Sequence, residues 1–236
     1  MAKILHIETA TQICSVALSE GENIVLSRTS TLKNAHSSIL TVFIDEIFRE
    51  TGINVHNLDA VSVSMGPGSY TGLRIGVSAA KGLCYAADKP LIAVNTLEAM
   101  AWGMIKKSSG FSENVADLLF CPMIDARRME VYSAIFNFRM ESIREVRAEI
   151  IDEQSFADIL SNQKMLFAGD GAEKCKTSLQ ASSNAGFMDA FEPSANYLIE
   201  IANRKFNEGK FENVAYFEPF YLKDFIAGPP KVKGLI

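Results

Sequence analysis

The sequence predicts an α/β protein of two lobes, each a mixed sheet covered by helices, with the second lobe reduced. Three observations carry this: an antiparallel meander opens the chain, strand and helix then alternate twice, and the same theme returns less fully after residue 115. Residues 3–9 (KILHIET) alternate with Ile4, Leu5 and Ile7, residues 13–18 (ICSVAL) are small and apolar, and residues 24–30 follow the turn Glu20-Gly21-Glu22-Asn23. These are three short strands joined by tight turns. From 35 to 50 the apolar positions Ile39, Leu40, Val42, Phe43, Ile44, Ile47 and Phe48 make a helical stripe wider than an ordinary surface helix needs, so this helix is expected to be covered on two sides. A strand at 59–65 runs into Gly66-Pro67-Gly68-Ser69, a helix follows from Thr71 to Ala87, then a strand at 91–94 and a helix from Thr96.

The first lobe is assigned residues 1–105, and the polar, Gly110-containing stretch 106–114 is read as a linker. The second lobe, 115–225, has strands at 117–124, 130–137 and 144–151, a helix from Glu153 to about Asn162, a strand at 165–168 and a turn at Gly169-Asp170-Gly171. A short strand near 186–188 precedes a helix capped by Ser194 and running to Asn207. Residues 226–236, with Gly228-Pro229-Pro230, read as a flexible tail.

Composition narrows the function. With 48% hydrophobic and 22% charged residues the chain is globular, and a net charge of −5 argues against unaided binding to a nucleic-acid backbone, which needs clustered Lys and Arg. Cys14, Cys84, Cys121 and Cys175 are scattered and read as reduced core thiols. No apolar run reaches the roughly 20 residues of a membrane span and no signal-peptide stretch follows Met1, so the expectation is a soluble, cytoplasmic protein with no membrane partner. His6, His36 and His56 have no metal-binding spacing, and neither a GxSxG motif nor a Cys/His pair is present.

Three features allow a functional reading beside a structural one. The glycine-rich loop 66–76 either presents backbone N–H groups to an anion or is simply a tight strand-to-helix turn, and it matches neither the P-loop nor the dinucleotide fingerprint. Gly72, Gly76 and Ala80 strip one helix face of side chains, at about 0.8 to 1.0 kcal/mol per helical Gly, so another backbone must come close. That neighbour is either the sheet beneath or a helix of another subunit, and we favour the second, with Gly76→Leu expected to block pairing without unfolding the monomer. Glu8, Thr9 and Thr11 at the first hairpin turn are suited to face a nucleotide phosphate and its metal, as in the actin-like ATPases, or form a solvated turn.

Several motifs together resemble the TsaB (YeaZ) family: Ile7-Glu8-Thr9-Ala10-Thr11, Ala35-His36-Ser37, GPGSYTGLRIG at 66–76, Val94-Asn95-Thr96-Leu97-Glu98-Ala99, Asp125-Ala126-Arg127-Arg128-Met129-Glu130-Val131-Tyr132 and Pro219-Phe220-Tyr221-Leu222-Lys223. The resemblance spans residues 4 to about 223. It implies an actin-like ATPase (ASKHA, ribonuclease H-like) fold, and a non-catalytic accessory subunit for threonylcarbamoyladenosine formation beside the anticodon of tRNAs that read codons beginning with A.

The implied partners are homologues of the transferase TsaD and the ATPase TsaE, a second copy of the chain when TsaD is missing, and tRNA only through the complex. TsaD carries an HxxxH metal pair where this chain has Thr96 and Met100, neither a good hard-metal ligand, so neither a metal nor a catalytic residue is assigned. Glu8 and Lys223 depart from the family's commoner Asp and Arg. No cofactor is expected on the chain alone, with ATP or ADP placed at the complex interface. The interface residues expected are His36, Ile39, Leu40, Phe43, Gly72, Leu73, Gly76 and Ala80. The rival readings are an M22-like metallopeptidase (glycoprotease) and a small-molecule kinase of the same fold.

Overall fold

The computed structural model describes residues 1–109, 111 and 115–223; the expected tail lies outside these residues, as does part of the expected linker. The first lobe is built from β1 (Lys3–Glu8), β2 (Cys14–Glu20), β3 (Asn23–Ser30), α1 (His36–Thr51), β4 (Ala60–Gly66), α2 (Tyr70–Ala87), β5 (Leu91–Asn95) and α3 (Thr96–Lys107). Its strands lie in the order β3-β2-β1-β4-β5, antiparallel through the meander and parallel from β1 onward. The second lobe follows with β6 (Leu118–Asp125), β7 (Glu130–Asn137), β8 (Ser142–Ile150), α4 (Ala157–Leu160), β9 (Lys164–Ala168), α5 (Asp170–Leu179) and β10 (Ala185–Met188). Its order is β10-β9-β6-β7-β8, with the same pattern of parallel and antiparallel pairs.

The two sheets therefore share one topology, and the actin-like two-lobed fold expected from the resemblance is the one observed. The reduction of the second lobe is concrete: its first crossover helix has 4 residues against 16 in α1, and its second has 10 against 18 in α2. Helix α3 lies between the sheets. Its Ala99 joins the first-lobe cluster of Ile4, Ala60, Ile92 and Val94, while Leu97, Met100 and Met104 pack with Leu118 and Phe120 of the second.

The domain boundary expected at the end of the second lobe is corrected by the structure. Helix α6 (Ile199–Asn207) places Ile201 and Ala202 on Ile4, Ala60 and Ile92 of the first lobe, Asn203 Nδ2 donates to Gly21 O at 2.6 Å, and Lys205 Nζ donates to Ala93 O at 2.7 Å. Residues 212–223 then run along α2 as a strap. Lys81 Nζ donates to the Ala215 and Phe217 carbonyls, and Phe220 N–H donates to Met65 O at 2.7 Å. Both ends of the described chain thus build the first lobe, and the second lobe is inserted between them. Two helices also differ from expectation. Residues 153–162 hold only the four-residue α4, because Phe156 enters it with φ +63°, and the glycine turn at 169–171 opens the unexpected α5.

Candidate functional site

The first hairpin turn is sealed. Glu8 is 1% exposed, its Oε1 accepting from Ala10 N–H at 2.6 Å and from Ser64 Oγ at 3.0 Å. Burial pushes its carboxyl up to about 7, against the pull of those donors. Thr9 is fully buried with no hydrogen-bond partner on Oγ1, and Thr11 Oγ1 accepts from Ile13 N–H at 3.2 Å within the turn. Ser69 N–H donates to Ala10 O at 2.6 Å, and a Cβ on Gly68 would overlap that same carbonyl, so the glycine-rich loop lies directly on the turn. Glu8 and Thr11 are engaged by hydrogen bonds, and Thr9 is buried against α2. The three residues expected to contact a nucleotide are thus all buried; the loop is a tight strand-to-helix turn, with the Ser69 side chain capping α2 by accepting from Gly72 N–H at 3.3 Å.

The same closure decides the glycine stripe. A Cβ on Gly72 would overlap Thr9 O, and one on Gly76 would overlap Thr9 Oγ1; Ala80 and Leu73 are likewise buried. The close neighbour is the chain's own first hairpin rather than a second subunit. Gly72, Leu73, Gly76 and Ala80 are therefore withdrawn as interface residues, and Gly76→Leu would disrupt the monomer. On α1, Leu40 and His36 also face inward, the His36 ring nitrogen Nε2 meeting Ile13 O at 3.2 Å.

What remains outside is the other flank of the two helices. Ile39 and Phe43 of α1 are half-buried, as are Ile75, Ala79 and Leu83 of α2, and Val42 is 46% exposed. With His36, Leu40, Ile44 and Ile47 committed to the core, the wide stripe of α1 indeed has an inner and an outer part. Of the expected interface residues, Ile39 and Phe43 are the two placed where another chain can reach them.

On α3, Thr96 is fully buried and its Oγ1 accepts from Gly66 N–H at 3.1 Å, while Met100 is buried in the core of the second lobe. Thr96 is thus occupied within the first lobe and Met100 in packing α3 against the second. Among the described residues no group of three or more His, Cys, Asp or Glu side chains is placed to hold a metal ion. The four cysteines are free and buried, as expected. Among the described residues no helix is long and apolar enough to cross a membrane.

Two features were not singled out by sequence reasoning. Arg74 of α2 lies over the Tyr70 ring at 4.2 Å and donates through Nε to the Tyr221 hydroxyl at 3.1 Å, pinning the strap to the helix start. Its residues lie in two motifs quoted for resemblance, the block at 66–76 and the closing one at 219–223. The second is the tip of the β6–β7 hairpin, where Arg127 and Arg128 stand exposed at φ +72° and +53°.

Comparison with known proteins agrees with this geometry. Residues 23–230 match the family model described as "TsaD: tRNA N6-adenosine threonylcarbamoyltransferase". The chain is 30% identical to the tRNA threonylcarbamoyladenosine biosynthesis protein TsaB of Haemophilus influenzae, covering 94% of this chain and 93% of that protein. It is 31% identical to the Escherichia coli protein of the same name, over 95% and 96%. The solved structure of YeaZ from Pseudomonas aeruginosa has the same fold, with a TM-score of 0.81, 24% identity and coverage of 94% of this chain and all of that one.

Proposed function

The chain belongs to the TsaB family and takes part in forming threonylcarbamoyladenosine in tRNA, and from that premise we propose that it acts as a non-catalytic partner of a TsaD homologue. The observation that carries this is the outer flank of α1 and α2: half-buried Ile39, Phe43, Ile75, Ala79 and Leu83 with exposed Val42 form an apolar face whose inner side already belongs to the core. A helix-on-helix contact there buries large side chains without disturbing the lobe. The transferase homologue occupies this face, and a second copy of the chain does so when the homologue is missing.

The catalytic and nucleotide chemistry is assigned to the partners, the transferase and a TsaE homologue. The sealed hairpin turn supports that division, since Glu8, Thr9 and Thr11 are all buried in it, as do buried Thr96 and Met100, which hold structure where the transferase is expected to hold metal. Depletion of the protein should lower threonylcarbamoyladenosine in bulk tRNA, read by mass spectrometry of digested nucleosides. An unchanged level would sink the role. The same reading puts the protein in the cytoplasm with its tRNA.

A further inference from the structure

The β6–β7 tip occupies, in the second lobe, the place that the sealed Glu8–Thr11 turn occupies in the first, and it is open. Asp125, Arg127, Arg128 and Met129 are all exposed. Two consecutive arginines adopt left-handed backbone, a conformation that costs a non-glycine residue roughly 1 to 2 kcal/mol and that Asn-Gly would adopt without strain. The surroundings hold the tip in place: Arg127 N–H donates to Asp125 Oδ1 at 2.8 Å, Ala126 N–H to Glu130 O at 3.0 Å, and Asp125 N–H to Asp170 Oδ1 at 3.0 Å.

The charges are sorted as well. Asp125 pairs with Lys174 and Glu130 pairs with Lys223 of the strap, so the nearby carboxylates are matched by lysines. Among the described residues neither Arg127 nor Arg128 pairs with a carboxylate, which leaves two planar, permanently charged groups at an exposed point of a chain whose net charge is −5. A guanidinium matches a phosphate with two parallel hydrogen bonds. An acidic protein surface would also attract the tip. The tRNA of this family's reaction favours the first partner, since an acidic chain gains little by repelling RNA everywhere except at one anchored cationic point.

We propose that Arg127 and Arg128 contact the phosphodiester backbone of tRNA bound by the complex. The inference rests on the function proposed above and goes beyond it, because it gives this chain a direct RNA contact. The test uses the full chain assembled with the TsaD homologue and an unmodified tRNA transcript whose anticodon reads codons beginning with A, with affinity measured by filter binding across a salt series. The paired substitution Arg127→Ala with Arg128→Ala should lower the slope of log affinity against log salt by about 1.4 to 1.8, the release expected for two phosphate contacts. Arg127→Lys with Arg128→Lys should restore most of it. Arg127→Asn with Arg128→Gly relaxes the turn, so it should raise Tm while giving the same loss, which separates a charge effect from unfolding. A slope unchanged by the alanine pair overturns the proposal, and loss of co-elution with the transferase in these variants overturns it in favour of a protein contact. If the wild-type chain neither co-elutes with the transferase nor raises its tRNA affinity, the proposed function and this inference fall together.

Discussion

The two lobes repeat one sheet order, yet their first hairpins have opposite fates. In the first lobe the turn between β1 and β2 is covered by the loop ahead of α2, and its acid and threonines are buried beneath it. In the second lobe the turn between β6 and β7 stands clear, with arginines at its tip. Both lobes bring a glycine-bearing segment close to the end of their first strand: Gly72 and Gly76 meet Thr9, and Gly171 meets the backbone of Met123 and Ile124. The shared contact teaches that close glycine packing belongs to the fold, whereas what projects beyond it is free to differ. A segment can look like a ligand loop and be a seam.

The largest expected effect tests that seam. Gly76→Leu should destabilise the protein by at least about 3 kcal/mol, since its side chain must displace buried Thr9. Chemical denaturation measures it, and Gly171→Leu should cost a similar amount if the contact has the same role in both lobes. A folded Gly76→Leu monomer with wild-type stability would return the glycine face to the list of docking surfaces.

Next comes the sealed carboxyl. The folded-state pKa of Glu8, about 7, lies above its usual value near 4.5, so its neutral form is the one that folding favours. The stabilisation is fully present below about 4.5 and is lost as pH rises through 7, a penalty of about 3 kcal/mol at pH 8. His6 works in the opposite sense. It is fully buried between Ser62 and Ser19, with ring-to-hydroxyl distances of 2.7 and 2.9 Å, and burial lowers its pKa to about 3. Its contribution is present above about 6.5 and is lost as pH falls toward 3. Between 4.5 and 6.5 the two slopes oppose each other. Glu8→Gln should therefore remove the loss above pH 6.5 and make stability rise with pH below it, as read from denaturation midpoints at several pH values.

A smaller effect on stability but a clear one on assembly is expected at the crossover helices, where the lobes differ most in length. Phe43→Asp on the outer flank of α1 should leave Tm within a few degrees while weakening co-elution with the transferase by roughly 30-fold or more, the scale of an interfacial aromatic anchor. Wild-type pairing in that variant would remove α1 from the interface. The smallest effect is at Gly82, also in α2 but exposed with open space where a Cβ would stand. Gly82→Ala should stabilise by about 0.5 to 1 kcal/mol. Two glycines of one helix would then respond with opposite signs.

The legibility of the chain follows the same divide. In the first lobe, the apolar run in KILHIET and the apolar stripe of α1 locate their elements to within a residue or so, because β1 is buried on both faces and α1 along one periodic face. In the second lobe the signals are diluted. Helix α5 buries only Gly171, Ala172, Cys175 and Leu179 among polar neighbours, so its opening glycines read as a turn, and α4 is shorter than expected because Phe156 takes left-handed backbone. The wide stripe of α1 pointed to apolar surface beyond the core-facing side, and half-buried Ile39 and Phe43 with exposed Val42 are that surface. The bare face of α2 showed that something comes close but not which element, since a glycine records the absence of a side chain and nothing of its neighbour. Sequence reasoning quoted Arg127 and Arg128 only within a motif of resemblance, because no turn residue marks positions whose strain is known only from φ.

The return of α6 and the strap to the first lobe sets a schedule for synthesis. A ribosome releases residues 3–107 long before residues 194–223, and at roughly 5 to 20 residues per second the gap lasts on the order of 5 to 20 s. Over that interval Ile4, Ala60, Ile92 and Val94 lack the Ile201 and Ala202 that finally cover them. The inserted lobe can fold as each of its strands appears, whereas the lobe that starts first is completed last. A nascent chain halted before residue 199 should therefore be a good client for chaperones that recognise exposed aliphatic sheet.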